Sequence, residues 1–360
     1  MNFRSQRVSD LVAAICIPAS CLMYLHLMLL GLHDQTPTTH AGPEETLSVV
    51  ERGASFAAPV AAPSSSLAVP PPLNVTGGAR EDLLLMTPIL KCGATTMRNL
   101  LKALKNRNKF DLVISQPKRA ELVHIPQRNL QHDLVGNVSS FTRPTALMQS
   151  FAYINFTSHQ HQKPIHISLV RSPVERAISW FYHARAPFQL VERHNRFPDT
   201  KFPTRKFLKK DLETCLKDRR DKECRYVPGR EFLGHTIEFF CGHDAFCPIF
   251  GDREGLHRAK QVVEKDFAVV GILEDWNKTM AVLEHYVPRY FKGATDIFHE
   301  KLQGDKIMLN ENFYKPKVDP MAREFLNRNF TVENEFYDFL RQRLDQQYRA
   351  LFAPTLSLEP

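Results

Sequence analysis

Two groups of residues carry chemistry on sight. The first is the stretch Thr87–Thr96, TPILKCGATT, in which Lys91 stands two residues before Gly93 and just ahead of Thr95 and Thr96. A glycine permits a tight turn, a threonine can cap a helix, and the free amides of a helix N-terminus attract anions. With a mobile ammonium beside them, these parts make a phosphate cradle. An ordinary capped turn between strand and helix has the same composition, and G-x-x-x-x-G-K-[ST] is not matched, so this is no Walker A loop. The second group is Arg171-Ser-Pro, followed by Ser179 eight positions after the arginine. One cationic group from each of two loops suits a ligand with two separated anionic groups.

These loops need elements that hold them side by side. Leu83 to Met86 is a short apolar run, and Met97, Leu100, Leu101 and Leu104 then repeat at helical spacing. Pro164 to Val170 has the pattern of a buried strand, and a helix is predicted from about Val174, with Pro173 suited to its first turn. Ala268 to Leu273 is a third such strand, followed by Met280, Leu283 and Tyr286. Strand–turn–helix units predict an α/β fold with a central, mainly parallel sheet flanked by helices. Ligands of such sheets bind beyond the carboxyl ends of the strands, so Lys91 and Arg171 are expected in one crevice. Val332 to Leu351 reads as one long amphipathic helix, with Phe336, Phe339, Leu340, Leu344 and Tyr348 on one face.

The remainder bears on where such a domain works. Leu11 to Leu32 has no Asp, Glu, Lys or Arg, and its 22 residues suffice to cross a bilayer as a helix. Arg4 and Arg7 precede it, which places the N-terminus in the cytoplasm. The run continues through Leu27–Leu30 without the small-x-small end of a cleaved signal peptide. The expected order is therefore a cytoplasmic tail (1–10), an uncleaved anchor (11–32), a Pro-, Ala- and Ser-rich stem (33–80), a luminal domain (81–352) and a short tail (353–360). Sequons at Asn74, Asn137, Asn155, Asn277 and Asn329 agree with secretory passage. Five cysteines follow the anchor, and their spacing predicts Cys215–Cys224 and Cys241–Cys247 disulfides with Cys92 free. A zinc site has no support in the spacing, since there is no C-x-x-C. Of the formal net charge of +8, residues 1–32 contribute one, so the remainder is basic. Such a charge suits a polyanionic partner or an anionic cofactor, or else is a solvated, mildly basic surface; nucleic acid is not expected.

K-C-G-x-x-T after a first strand, then R-x-P-x-E-R-x-x-S-W-F-Y after a later one, resembles Golgi sulfotransferases that use 3′-phosphoadenosine 5′-phosphosulfate (PAPS). Phe239–Cys247 (FFCGHDAFC), Val270–Asp275, Pro288–Gly293 and Glu335–Tyr337 resemble the heparan sulfate and uronyl 2-O-sulfotransferase family. Arg185-Ala-Pro, Val191-Glu-Arg193 and Asn312–Pro316 are closest to its Pipe-like members. The similarity covers residues 82–352. It implies the P-loop-like sulfotransferase fold, PAPS as sulfate donor and no metal. Lys91, Gly93, Thr95 and Thr96 would hold the 5′-phosphosulfate, Lys91 neutralising the leaving phosphate. Arg171 and Ser179 would hold the 3′-phosphate. Arg185, Arg193 and Arg196 would meet sulfates or carboxylates of the acceptor, unless they form a solvated basic loop. Family members are often homo-oligomers, and the C-terminal helix is the contact expected here.

The departures bear on activity. The family base is a histidine just before a segment represented by Tyr153–Phe156; alignment puts Ser150 there and Met148 at the companion histidine. Serine is a poor base at neutral pH. His159, His161 and His166 are the substitutes nearest in sequence. Asp of the usual R-D-P is Ser172, and the loop before Asn312, usually basic, offers Met308 and Glu311. The expected function is 2-O-sulfation of a uronic acid in a glycosaminoglycan in the Golgi; the alternative is a weak or inactive relative that binds nucleotide or glycan.

Overall fold

The apolar run ending at Met86 becomes the central strand, β1 (Arg80–Thr87), whose last five side chains are buried. The computed structural model describes residues 72–115, 124–199, 201–218, 221–224, 226–232, 234–302 and 315–352. Successive side chains of β1 alternate between two cores. Leu84 and Met86 pack with Leu100 and Leu101 of α1 (Ala94–Leu104), whereas Leu83 and Leu85 pack with Val135 and Val138 of α2 (Arg128–Ser139). A strand covered by helices on both faces cannot afford polar residues on either, hence the unbroken run.

Beside β1 lie β2 (Asp111–Ile114), β3 (Thr145–Met148), β4 (Pro164–Val170) and β5 (Phe267–Ile272), all parallel in the order β2-β3-β1-β4-β5. The α/β architecture expected from the sequence is thus present. Strands β2 and β3 escaped it because four residues are too few for a period to show. The chain moves outward from β1 to β2, returns through β3 and then crosses to β4. Strand order therefore reverses at β1 and β4, which opens a crevice beyond their carboxyl ends.

Helix α3 (Pro173–His183) follows β4, with Pro173 in its first turn. Its Val174, Ile178 and Phe181 rest on a smaller core that includes Leu212, Phe250 and the Cys215–Cys224 disulfide. Helix α4 (Pro187–Arg196) comes next, then α5 (Thr236–Cys241), which ends at the Cys241–Cys247 disulfide. Cys92 is buried and free. Helices α6 (Arg253–Asp266) and α7 (Trp276–Tyr286) flank β5, and α8 (Pro320–Asn329) leads into the long α9 (Thr331–Ala350). The buried face of α9 carries Phe336, Leu340 and Leu344 but also Glu333, Arg343 and Gln347.

Residues 72–79, read above as stem, pack on the domain. Val75 and Ala79 are buried, and the Leu73 carbonyl accepts bonds from Gln347 (2.8 Å) and Arg343 (3.3 Å). The tail 1–10, the anchor 11–32, the stem to residue 71, the end 353–360, and Met308 and Glu311 through Tyr314 lie outside the described residues. Among the described residues no helix is long and apolar enough to cross a membrane. Asn137 and Asn277 are exposed, and Asn74 and Asn155 each accept a bond from the threonine hydroxyl of their own sequon.

Candidate active site

The loop between β1 and α1 is built on two left-handed residues, Lys91 (φ 67°) and Gly93 (φ 83°). For a lysine that conformation costs on the order of 1 kcal/mol, and such strain collects at functional turns. At Gly93 no other residue fits. A Cβ there would stand 2.7 Å from Leu273 Cδ1 and 3.2 Å from Trp276. Gly93 itself caps α1, and Thr95 and Thr96 fall in the first turn, so neither threonine is the cap that the sequence led us to expect. Gly93→Ala combines a strained φ with overpacking and is expected to destabilise the domain by about 1–3 kcal/mol. Thermal unfolding checks this; an unchanged midpoint would contradict the packing described.

Lys91 is half-buried, and burial, with the Arg171 charge second, lowers its ammonium to about 8. A cation held this reluctantly gains most when an anion arrives. Cys92 behind it is fully buried, and burial pushes its thiol up to about 11, so it stays protonated.

Arg171 follows β4 and is held loosely, 3.6 Å from Glu175 and 3.9 Å from Glu274. Neither contact is the close bidentate pairing that would occupy a guanidinium. The Ser172 amide donates to Glu274 at 3.0 Å, and Tyr337 donates to the other oxygen of that carboxylate, also at 3.0 Å. Burial favours the neutral form of Glu175, yet Arg323 and Lys315 outweigh it and hold the carboxyl below its ordinary range. Ser179 is buried two turns along α3 from Arg171, on the side of the helix that carries Ser172 and Glu175.

Arg176, five residues after Arg171, is a further basic residue of the site, one to which the sequence alone gives no role. Its guanidinium donates to the Leu90 carbonyl (3.1 Å), Thr236 Oγ1 (3.3 Å) and the Gly234 carbonyl. It thereby ties the Lys91 loop to the start of α5. A cavity of about 120 Å³ lies along this seam, between Leu90, Trp180 and the His235–Glu333 pair.

Ser150 stands after β3 at the same rim, but its hydroxyl donates to the Pro88 carbonyl at 3.1 Å and braces the Lys91 loop. The histidines proposed as its substitutes lie elsewhere. His166 is fully buried among Tyr153, Phe156 and Phe267, and burial lowers it to about 4. His159 and His161 precede β4, at the opposite end of that strand from Arg171, with His159 packed on His132. Of the basic residues read as acceptor contacts, Arg185 is not available. It donates to the carbonyls of Phe181 (2.8 Å) and Phe207 (3.1 Å) and to Glu223, under two phenyl rings. Arg193 and Arg196 are exposed on α4, and Arg193 joins His194 and Lys201 around a cavity of about 260 Å³. Among the described residues, the group best composed for a metal is Cys215, Asp221 and Glu223. Its sulfur is in a disulfide and its carboxylates are on Lys210 and Arg185.

The profile of the Sulfotransferase family matches residues 79–233. The uronyl 2-sulfotransferase homolog pip of Drosophila melanogaster is 33% identical over 78% of this chain and 55% of its own length. The uronyl 2-sulfotransferase of Homo sapiens is 27% identical over 76% of this chain and 64% of its own. The heparan sulfate 2-O-sulfotransferase hst-2 of Caenorhabditis elegans is 26% identical over 75% of this chain and 80% of its own. Matches to uronyl-type relatives thus span 55% to 66% of those proteins.

Proposed function

Because the chain belongs to the sulfotransferase family, as a Pipe-like member of its heparan sulfate and uronyl 2-O branch, we propose that it moves a sulfuryl group from PAPS to a uronic acid hydroxyl of a glycosaminoglycan. The observation that carries this reading is the convergence of Lys91 and Arg171 at the carboxyl ends of adjacent strands, above a left-handed turn that opens a helix. PAPS is consumed, so it is a substrate and not a resident group. The residues fit it. The turn at Lys91 and Gly93, with Thr95 and Thr96 in the first turn of α1, suits the 5′-phosphosulfate. Arg171 and Ser179 suit the 3′-phosphate. Lys91, reluctant to carry charge in the free protein, is placed to neutralise the charge that grows on the leaving phosphate. No role for a metal enters this account.

Arg193, Arg196 and Lys201, beyond the end of α3, would meet the carboxylates and sulfates of the acceptor. Arg185 acts beneath them as a brace. We place the domain in the Golgi lumen, on an anchor at residues 11–32, with sequon glycosylation and self-association through α9 as further parts of the proposal. The sequence-based alternative, a binding protein without turnover, rested on the lost histidine at position 150.

Calorimetry of the full-length chain with 3′-phosphoadenosine 5′-phosphate tests the donor site. Arg171→Ala is expected to weaken binding by about 1.5–3 kcal/mol, the worth of one charge-assisted contact. Unchanged affinity would refute the 3′-phosphate assignment. A radiolabelled sulfate-transfer assay on a panel of glycosaminoglycans identifies the acceptor.

A further inference from the structure

Val270–Asp275, at the end of β5, and Glu335–Tyr337, on α9, meet at the Arg171 turn. The Leu273 amide donates to the Val170 carbonyl (2.9 Å), so the chain after β5 runs on beside the last residue of β4. Glu274, the next residue, emerges at that turn. One of its oxygens accepts the Ser172 amide (3.0 Å) and stands 3.9 Å from Arg171 Nε. The other accepts the Tyr337 hydroxyl (3.0 Å). Both carboxylate oxygens are therefore engaged, and the carboxylate stops short of a close pair with the guanidinium.

Each part of this clasp is fixed from behind. Asp275 caps α7 through the Lys278 amide (3.3 Å). On α9, Glu335 accepts from Lys260 (2.8 Å) and Arg253 of α6, and Phe336 is fully buried against Phe240 of α5. Tyr337 thus reaches Glu274 from a helix anchored on either side of it. Burial, with the Glu274 charge second, pushes its phenol up, so the hydroxyl remains a donor. Arg171 turns Nε to Glu274 and Nη2 to Glu175 (3.6 Å), a carboxylate itself held by Arg323 and Lys315. Its Nη1 has no hydrogen bond or ion pair among the described residues.

We propose that Glu274 and Tyr337 are positioning residues for the 3′-phosphate, which hold Arg171 along its Nε–Nη2 edge and leave Nη1 to the ligand. The inference rests on the donor-site reading above and deepens it. An acidic neighbour competes with a phosphate only if it closes on the guanidinium. Without the Tyr337 bond one oxygen of Glu274 is released, and the carboxylate can rotate onto Arg171 as a close pair that the 3′-phosphate must then displace. A nucleotide with a plain 3′-hydroxyl makes no such demand on Arg171. The loss should therefore fall on the 3′-phosphorylated ligand alone.

The test is calorimetry of the full-length chain with adenosine 3′,5′-diphosphate and with adenosine 5′-monophosphate. Tyr337→Phe is expected to weaken the diphosphate about threefold to tenfold, the usual worth of one hydrogen bond, and to leave the monophosphate within about twofold. In an Arg171→Ala background the same substitution should add less than about twofold, because the group it positions is gone. Glu274→Gln keeps an acceptor for the Ser172 amide but no charge to close on Arg171, so Tyr337→Phe should add equally little there. Equal weakening of both nucleotides would mark a structural role only, and unchanged diphosphate binding would leave Tyr337 no role; each overturns the inference. A full effect of Tyr337→Phe in either background overturns it too. If Arg171→Ala itself leaves the diphosphate unaffected, or if the chain binds no diphosphate, the donor-site reading falls instead and takes the inference with it.

Discussion

Lys91→Ala is expected to lower sulfuryl transfer about 10²–10³-fold, the range seen when one preorganised stabiliser of developing charge is removed. The magnitude follows from where the ammonium sits. It is half-buried, near Arg171, and already lowered to about 8, so its charge acts through little water. Binding of the anionic donor favours the charged lysine. In the free protein that form is complete only below about 8, so affinity is highest there and declines as pH rises through that value. The alanine variant should lose this decline along with the rate. Single-turnover transfer and nucleotide calorimetry, each from neutral pH to about one unit above 8, measure both. A variant within threefold of wild type at neutral pH, or a wild-type affinity flat across that interval, would show that Lys91 does not face the donor.

The second large effect is on stability. Glu333→Ala should destabilise the domain by about 3–5 kcal/mol, the cost of removing one partner from a buried charged network. The Glu333 carboxylate, on α9, accepts from His235 Nδ1 (2.8 Å) and from the amides of Thr236 (3.0 Å) and Ile237 (3.2 Å). A residue nearly a hundred positions away thus caps α5. Alanine would leave two buried amides and the His235 Nδ1 without partners. Burial pushes the Glu333 carboxyl up, but the His235 contact, helped by Arg176 and the Ile237 amide, more than offsets it and leaves it depressed. A depressed carboxyl contributes its stability above the unfolded value of about 4.3, and that stability is lost as pH falls through the folded value. Denaturation of the variant near neutral pH and again near pH 4 tests both statements. The gap from wild type should shrink in acid, and a loss under about 1 kcal/mol at neutral pH would remove Glu333 from the account. Because Arg176 joins the same segment to Leu90, weaker nucleotide binding should accompany the loss.

Local chemistry determined much of this protein from the sequence alone. A run of apolar residues too short for a helix and bounded by polar or turn residues is a strand buried on both faces, and β1, β4 and β5 were legible for that reason. The helical spacing of Met97, Leu100, Leu101 and Leu104 depends only on residues three and four apart. Lys91 and Arg171 could be assigned to one crevice because parallel strand–turn–helix units send their loops to the same edge. What the sequence left undecided was which polar side chains face a ligand and which are consumed in holding the fold. Arg185 has the composition of an acceptor contact, but Phe181, Phe207 and Glu223 take its guanidinium. Ser150 occupies the position aligned with a base, but it bonds to Pro88. His124 and His243 are far apart in sequence, and only the packing of the 124–125 segment against the turn after α5 brings their rings together. The type of a polar residue sets what it can bond to. Its function depends on which partners the tertiary fold has already placed within reach and which of its valences remain open, and those partners lie tens of residues away along the chain.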